Sequence, residues 1–421
     1  MILTNARILT LDPRNTILDN GSVEVRADGT IGAVGPCKAA GTSQEGIDCH
    51  GRLLMPALIN CHTHLYSTLA RGLRIPGPAP KTFPQILQKV WWKFDRALTR
   101  DDVYYSALVG LIDSAKNGVG TVIDHHSSPK ACAGSLDAIA QAFHKVGLRG
   151  ALCYETSDRN GPRQTQDAIR ENVRFLERSR GDTLLAGAFG LHAAFTLSDR
   201  TLRSCMEANQ SLNAGFHIHV AEDSCDVGAV RRLRDAGILD QRTLAAHCVH
   251  ISAADRRTIA RLGVNVVHNP QSNCNNRVGT ANLFELFRKD VLVGMGSDGY
   301  SPRMWDELKT ALHLQARKPA TAGTAFLNNR TIVKKVFGME IGRIETGARA
   351  DLVLIDYVPP TPMNGDNLFG HILFGISNAP VDSLMVNGAW VMKDKHCVNV
   401  DEQRIADWAR VLAAKLFERI L

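Results

Sequence analysis

A chain of 421 residues, 44% hydrophobic and 22% charged, is longer than one hydrophobic core usually spans and is composed like a soluble globular enzyme. Its net charge of +7 comes from scattered Lys and Arg with no basic run, which argues for a solvated surface and against a nucleic-acid partner. No uninterrupted apolar stretch of about 18 residues occurs, which argues against a membrane span, and ten cysteines without a Cys-x-x-Cys pair suit reduced thiols in a cytoplasm.

The chain opens with short alternating runs at 6–11 and 21–26, a hairpin signal at Asp28-Gly29 and a further run at 31–35, the texture of a small β unit. Nothing before Asp12-Pro13 resembles the apolar segment of a signal peptide. The same texture returns at 347–356 and 381–391, punctuated by Gly and by Asn387-Gly388. Each region alone leaves an apolar face uncovered. Residues 1–55 and 345–400 are therefore expected to pack on each other as one split β-sandwich domain, followed by a C-terminal helix over 401–421.

Between them, residues 56–344 alternate apolar runs with helical patterns such as 101–117. Eight runs, at 53–64, 121–124, 150–154, 184–192, 215–219, 244–247, 264–268 and 291–298, predict a (β/α)8 barrel. The fold class is then α/β, a TIM-type barrel with a small β-sandwich domain built from both chain termini. His62, His64, His192, His219, His247, His268 and Asp298 all fall at the carboxyl ends of these runs, the end of such a barrel where chemistry is assembled.

His62 and His64 alternate along one strand and so face one point. With His219 and Asp298 they offer three imidazoles and a carboxylate, a shell that suits one divalent ion and leaves room for water. Zinc is expected, although iron accepts the same shell. Such an ion brings bound water to a pKa of ~7, and with no lysine on the fourth strand to bridge two ions the site is read as mononuclear. Glu222, three residues after His219, is placed to move a proton between water and substrate, whereas alone it would read as a surface residue opening a helix. His247 is placed to bond the water or a developing oxyanion, and Asp298 to orient the water; Glu222, His247 and Asp298 are thus the expected catalytic set. Three further residues have two readings each. His192 suits a polar substrate atom or a supporting role, Trp92 (beside Trp91) a stacked planar ring or a core or subunit contact, and His125 (beside His126) substrate contact or a barrel cap. His250 is read as structural.

Several segments carry a resemblance. Pro56 through His64 followed by Leu69-Ala70-Arg71-Gly72, the His219 and Glu222 pair, Ala246-His247-Cys248-Val249-His250, His268-Asn269-Pro270-Gln271-Ser272-Asn273 and Gly296-Ser297-Asp298-Gly299 resemble the amidohydrolase superfamily, specifically its cytosine/guanine/chlorotriazine-type aminohydrolases. The segments 90–98, 122–129, 273–279 and 370–375 resemble the SsnA-type aminohydrolases, a bacterial branch linked to purine catabolism. The resemblance implies His62, His64, His219 and Asp298 as metal ligands, Glu222 as proton shuttle and His247 as the partner of the water. It also implies a homodimer, on which the residues themselves carry no signal. The chain departs from the family at Ala57, Ser67, Ala193-Ala194-Phe195 and Asn273-Cys274-Asn275-Asn276, which leaves the metal shell intact and puts transfer of any one relative's substrate in doubt.

The expected activity is metal-dependent hydrolytic deamination of an amino-substituted N-heterocycle, purine- or pterin-like, with release of ammonia. Hydrolysis of a cyclic amide or of a ring carbon–halide bond is the alternative with the same site. A non-catalytic binding or assembly protein is the alternative of a different class. The expected partner is a small heterocyclic substrate.

Overall fold

The computed structural model describes residues 1–12, 14–37, 46–316, 318 and 320–420. Nine strand segments form the barrel: β6 (Leu58–Thr63), β7 (Val119–His126), β8 (Arg149–Tyr154), β9 (Leu185–Gly187), β10 (Phe189–Ala193), β11 (Phe216–Val220), β12 (Leu244–His247), β13 (Asn265–His268) and β14 (Val293–Met295). They pair in parallel in two arcs, β6 to β9 and β10 to β14. Most of these residues are buried on both faces, as a parallel sheet covered by helices requires.

The fourth run is one strand broken at Ala188. Its first half pairs with β8 and its second with β11, and a bridge between Thr156 and Leu191 joins the arcs there. Gly190 allows that join, since a Cβ would lie 2.2 Å from the Tyr154 carbonyl oxygen. The opposite seam, between β6 and β14, closes through the Thr63–Asp298 bridge. β14 is only three residues long, and two buried asparagines replace the missing ladder. Asn60 Nδ2 donates to Ser297 Oγ at 2.7 Å and Asn60 Oδ1 accepts from the Ser297 amide at 3.1 Å. Asn329, on the helix Ala320–Phe337, donates to the carbonyls of Ile59 and Met295 at 2.7 and 2.9 Å.

The remaining strands are β1 (Ile2–Leu9), β2 (Ile17–Val25), β3 (Ile31–Pro36), β4 (Gly46–Asp48), β5 (Leu53–Pro56), β15 (Leu352–Ile355), β16 (Val381–Val386), β17 (Ala389–Lys393) and β18 (His396–Cys397). They form one hydrogen-bonded sheet in the order β18-β17-β16-β15-β5-β1-β2-β3, with β4 on β1. The two chain ends meet at the antiparallel β5–β15 pair, Leu352 opposite Pro56 and Ile355 opposite Leu53. Along that pair the side chains alternate between two cores: Leu54, Leu352 and Leu354 pack inside the terminal β region with Leu3, Val23 and Ile31, whereas Leu53, Met55, Val353 and Ile355 join the main barrel core.

The apolar run 53–64 is therefore two strands. At Ala57 its amide still bonds Asp351 O, and at Leu58 the bonding switches to Gly118 O. A buried ion pair also ties the two regions. The Arg149 guanidinium at the start of β8 grips Asp351 with bonds of 2.9 and 3.1 Å and donates to Thr183 O at 2.8 Å.

The helix predicted over 101–117 spans Arg100–Lys116 and begins in a capping box of Thr99 and Asp102. The C-terminal helix spans Glu402–Ile420, returning to the barrel where Arg419 pairs with Asp102; position 421 lies outside the described residues. Among the described residues, no helix is long and apolar enough to cross a membrane.

Candidate active site

Strand alternation and the sharp turns after β11, β12 and β14 bring the polar residues to the carboxyl mouth of the barrel. Ala221, His247, Cys248 and Asp298 all have φ between 47° and 73°, a left-handed backbone uncommon outside glycine and concentrated at functional sites. Gly296 lets the last strand approach the first, since a Cβ would lie 2.7 Å from His62 O. The Ser297 and Asp298 amides both donate to that carbonyl, at 3.0 and 2.9 Å.

Four side chains that the sequence groups as ligands converge here. Asp298 Oδ1 is 2.9 Å from His64 Nε2 and 3.4 Å from His62 Nε2, and His64 Nε2 is 3.2 Å from His219 Nε2. The ligand atoms of His62, His219, His247 and Asp298 all lie within 4.8 Å of one another. The tautomers suit a cation. His64 Nδ1 donates to His125 O at 2.6 Å and His219 Nδ1 to His192 O at 2.9 Å, and because a carbonyl only accepts, the His219 Nε2 is left with a lone pair and the His64 Nε2 gains one when that ring gives up its second proton. His62 Nε2 faces Asp298 Oδ1, while its Nδ1 bonds His217 Nε2 at 2.9 Å.

The electrostatics agree with this reading. Burial pushes His62 down to about 3, the neutral form that ligates metals. Burial also works against ionised Asp298, but hydrogen bonds from His62 and His64 hold it well below the usual carboxylate range. Burial pulls His64 down as well, yet Asp298 and Glu155 override it and hold it up at about 9. A proton and a divalent ion thus compete for the same place beside Asp298.

Glu222 is buried, with 8% of its surface exposed, and does not open a helix on the surface. Its Oε2 is 3.4 Å from His247 Nε2, and Oε1 accepts from Asn276 Nδ2 at 3.1 Å. Burial raises its pKa, His247 opposes the shift and Asp298 adds to it. His247 Nδ1 bonds Asn273 Oδ1 at 2.8 Å, leaving Nε2 directed at Glu222, and Ser272 donates to Asp298 Oδ2. The helix Pro270–Asn276 thus supplies Ser272, Asn273 and Asn276 to three different site residues.

These groups open onto a cleft lined in part by Phe83, Trp91, Trp92, Phe195 and Tyr300. Trp92 lines the cleft and also packs, with Trp91, against the buried cluster of Phe83, Leu87 and Val278. His192 also lines it, with its ring 6.3 Å from Trp92 and Nδ1 bonded to Thr196 Oγ1 at 2.9 Å. His125 is placed differently from the substrate-contact reading. It is fully buried behind His64 with Nε2 bonded to His217 O at 3.1 Å, because β7 turns this side chain into the barrel. His126 is equally buried, on Ser128 at 2.8 Å, and His250 Nε2 donates to Val278 O at 2.6 Å.

Two residues given no role from the sequence belong to the site. His217 repeats the His-x-His alternation of β6 on β11 and buttresses His62. Glu155, the first residue after β8, is buried with Oε1 at 3.3 Å from both His64 Nδ1 and His125 Nδ1 and Oε2 at 4.0 Å from His192 Nε2. His217 is signalled by the repeat; Glu155 is signalled only by its position at a strand end.

A histidine–aspartate group that could hold a metal ion thus sits at the carboxyl mouth of a parallel barrel. The amidohydrolase family model matches residues 53–391, and the chain belongs to the amidohydrolase family. It is 31% identical to a 5-methylthioadenosine/S-adenosylhomocysteine deaminase of Desulforudis audaxviator, over 95% of this chain and 96% of that one. It is 29% identical to a 5'-deoxyadenosine deaminase of Methanosarcina mazei, over 100% and 99%. Its fold matches a zinc-bound adenosine deaminase from Xanthomonas campestris with a TM-score of 0.86 at 21% identity, covering 99% of this chain and 98% of that one. A zinc-complexed atrazine chlorohydrolase from Arthrobacter aurescens matches with a TM-score of 0.81 at 18% identity, covering 98% and 99%.

Proposed function

We propose that the protein is a hydrolytic deaminase of an amino-substituted purine or pterin-like ring that releases ammonia, with His62, His64, His219 and Asp298 holding one zinc ion. Residues 56–344 carry this chemistry in our reading, and residues 1–55 with 345–400 brace the far end of the barrel. The observation that supports it most is the place of Glu222, a buried carboxyl between the histidine–aspartate group and an aromatic-lined cleft, 3.4 Å from His247. The relatives named as adenine-nucleoside deaminases support the same bond.

A divalent ion held by His62, His64, His219 and Asp298 would lower the pKa of a water there to roughly 7 and so supply a nucleophile at neutral pH. Glu222 takes a proton from the attacking water and delivers it to the ring nitrogen beside the attacked carbon. His247, fixed by Asn273, accepts a hydrogen bond at Nε2 and sets the direction of attack. Asp298 orients the same water. Transfer of the second water proton to the amino group lets the C–N bond break, so that ammonia leaves and the oxygen stays on the ring as a carbonyl. Trp92 and His192 on the cleft wall hold the ring.

Ammonia release across purines, their nucleosides, pyrimidines and pterins tests this, with products identified by mass. Exchange of NH2 for OH supports deamination. Addition of one water without ammonia, or loss of halide, favours the alternative that the chlorohydrolase fold match brings to mind.

A further inference from the structure

Two acceptor atoms on the cleft wall face one gap, Nε2 of His192 and Oε2 of Glu155, 4.0 Å apart. The acceptor character of each follows from its other bonds. Thr196 spends its single hydroxyl proton on Ala193 O at 2.9 Å, so the 2.9 Å contact between Thr196 Oγ1 and His192 Nδ1 needs its proton on the ring. The neutral ring then turns a bare Nε2 toward Glu155. Glu155 Oε1 is directed inward, 3.3 Å from both His64 Nδ1 and His125 Nδ1. His125 Nε2 donates to His217 O at 3.1 Å, so a proton shared by His125 and Glu155 lies on the Oε1 side. Oε2 accepts whichever of the two residues holds it.

We infer that the preferred substrate carries a second exocyclic amino group, distinct from the one that leaves, and that His192 Nε2 and Glu155 Oε2 bind its two hydrogens. Hydrogen bonds to such acceptors close at ~2.7–3.2 Å, so atoms 4.0 Å apart do not bond each other, but one nitrogen with two hydrogens reaches both. The rings of Trp92 and Phe195 lie 6.3 and 6.0 Å from that of His192, so a planar ring held against them carries its edge to the gap. A ring nitrogen or carbonyl oxygen there sets lone pairs against lone pairs. A C–H leaves two buried acceptors unpaired, which is how a site built for a donor rejects analogues that lack it. This inference rests on the deaminase reading for the bond that breaks, and within it names diaminopurines and diaminopteridines over rings with a single amino group.

Matched pairs isolate the second amino group: adenine with 2,6-diaminopurine, and 4-aminopteridine with 2,4-diaminopteridine. Calorimetry on the zinc-loaded Glu222→Gln protein gives Kd for each compound, and ammonia release by the native enzyme gives kcat/KM. In at least one pair the diamino compound should bind at least ~10-fold more tightly than its partner. Adding Glu155→Leu or His192→Leu should bring that ratio to within ~3-fold of one, with zinc content and far-ultraviolet circular dichroism recording whether each variant is intact. Glu155 lies against His64, so His192→Leu serves where Glu155→Leu loses zinc; with neither intact, the ratio in the parent protein decides. Equal affinity within both pairs, a preference that survives His192→Leu, or no binding by either diamino compound overturns the inference. Ammonia without any diamino preference overturns it and leaves the deaminase reading intact, whereas a diamino preference in binding without ammonia from any of the four does the reverse.

Discussion

The Nε2 atoms of His64 and His219 face each other across 3.2 Å while both Nδ1 atoms are committed to backbone carbonyls. With His64 held up at about 9, a proton occupies the place beside Asp298, and a divalent ion bound between the two rings and Asp298 would displace it. An ion bound there would add to the stability of the fold. Zinc at about 100 times its Kd should stabilise the protein by about 2.7 kcal/mol, read as a higher denaturant midpoint than that of chelated protein. Identical unfolding curves with and without zinc would contradict this placement of the rings.

Glu222 reaches His247 and Asn276 but is not in the proposed ligand set. Glu222→Gln should lower kcat by ~10²- to 10⁴-fold while the zinc content, measured by elemental analysis, stays at one per chain. Loss of zinc in this variant would mean that Glu222 is a ligand and not a proton carrier.

His217 touches His62 through a 2.9 Å bond and lies on the far side of that ring from Asp298. Removing such a support usually costs ~10- to 100-fold in metal affinity. His217→Ala should show that loss in a competitive chelator titration, with unchanged far-ultraviolet circular dichroism. Unaltered affinity would leave His217 as packing alone.

The Arg149–Asp351 pair joins β8 to the terminal β region with both partners buried. Arg149→Ala leaves Asp351 buried without its partner and should destabilise by about 3–5 kcal/mol. The double variant Arg149→Met with Asp351→Leu should recover much of that loss, because an apolar pair carries no uncompensated charge. Chemical denaturation measures both, and a small effect of the single change would show that the two regions hold together without this bond.

The barrel was legible because its strands are apolar runs that end in histidine or aspartate, and the spacing of those ends survives without any knowledge of the loops. His62, His64, His219 and Asp298 were legible together for the same reason. The break at Ala188 was not, since an apolar run of this length looks the same whether it pairs with one neighbour or hands over between two. Nor was the division of 53–64 into two strands, since the run stays apolar across the change of partner at Leu58. Glu155 and His125 show the other limit. Position at a strand end is readable, but which buried atoms meet, and that His125 supports the site from behind while Trp92 faces the cleft, depends on side-chain packing across strands distant in the chain.

The central claim is that this histidine–aspartate group, with Glu222, removes an amino group from a heterocycle. The most direct measurement is ammonia release by protein carrying one confirmed zinc per chain, across aminopurines, their nucleosides and aminopterins. Ammonia from at least one of them, with the matching oxo product, is the result expected. No ammonia from any of them, with zinc in place, would contradict the account.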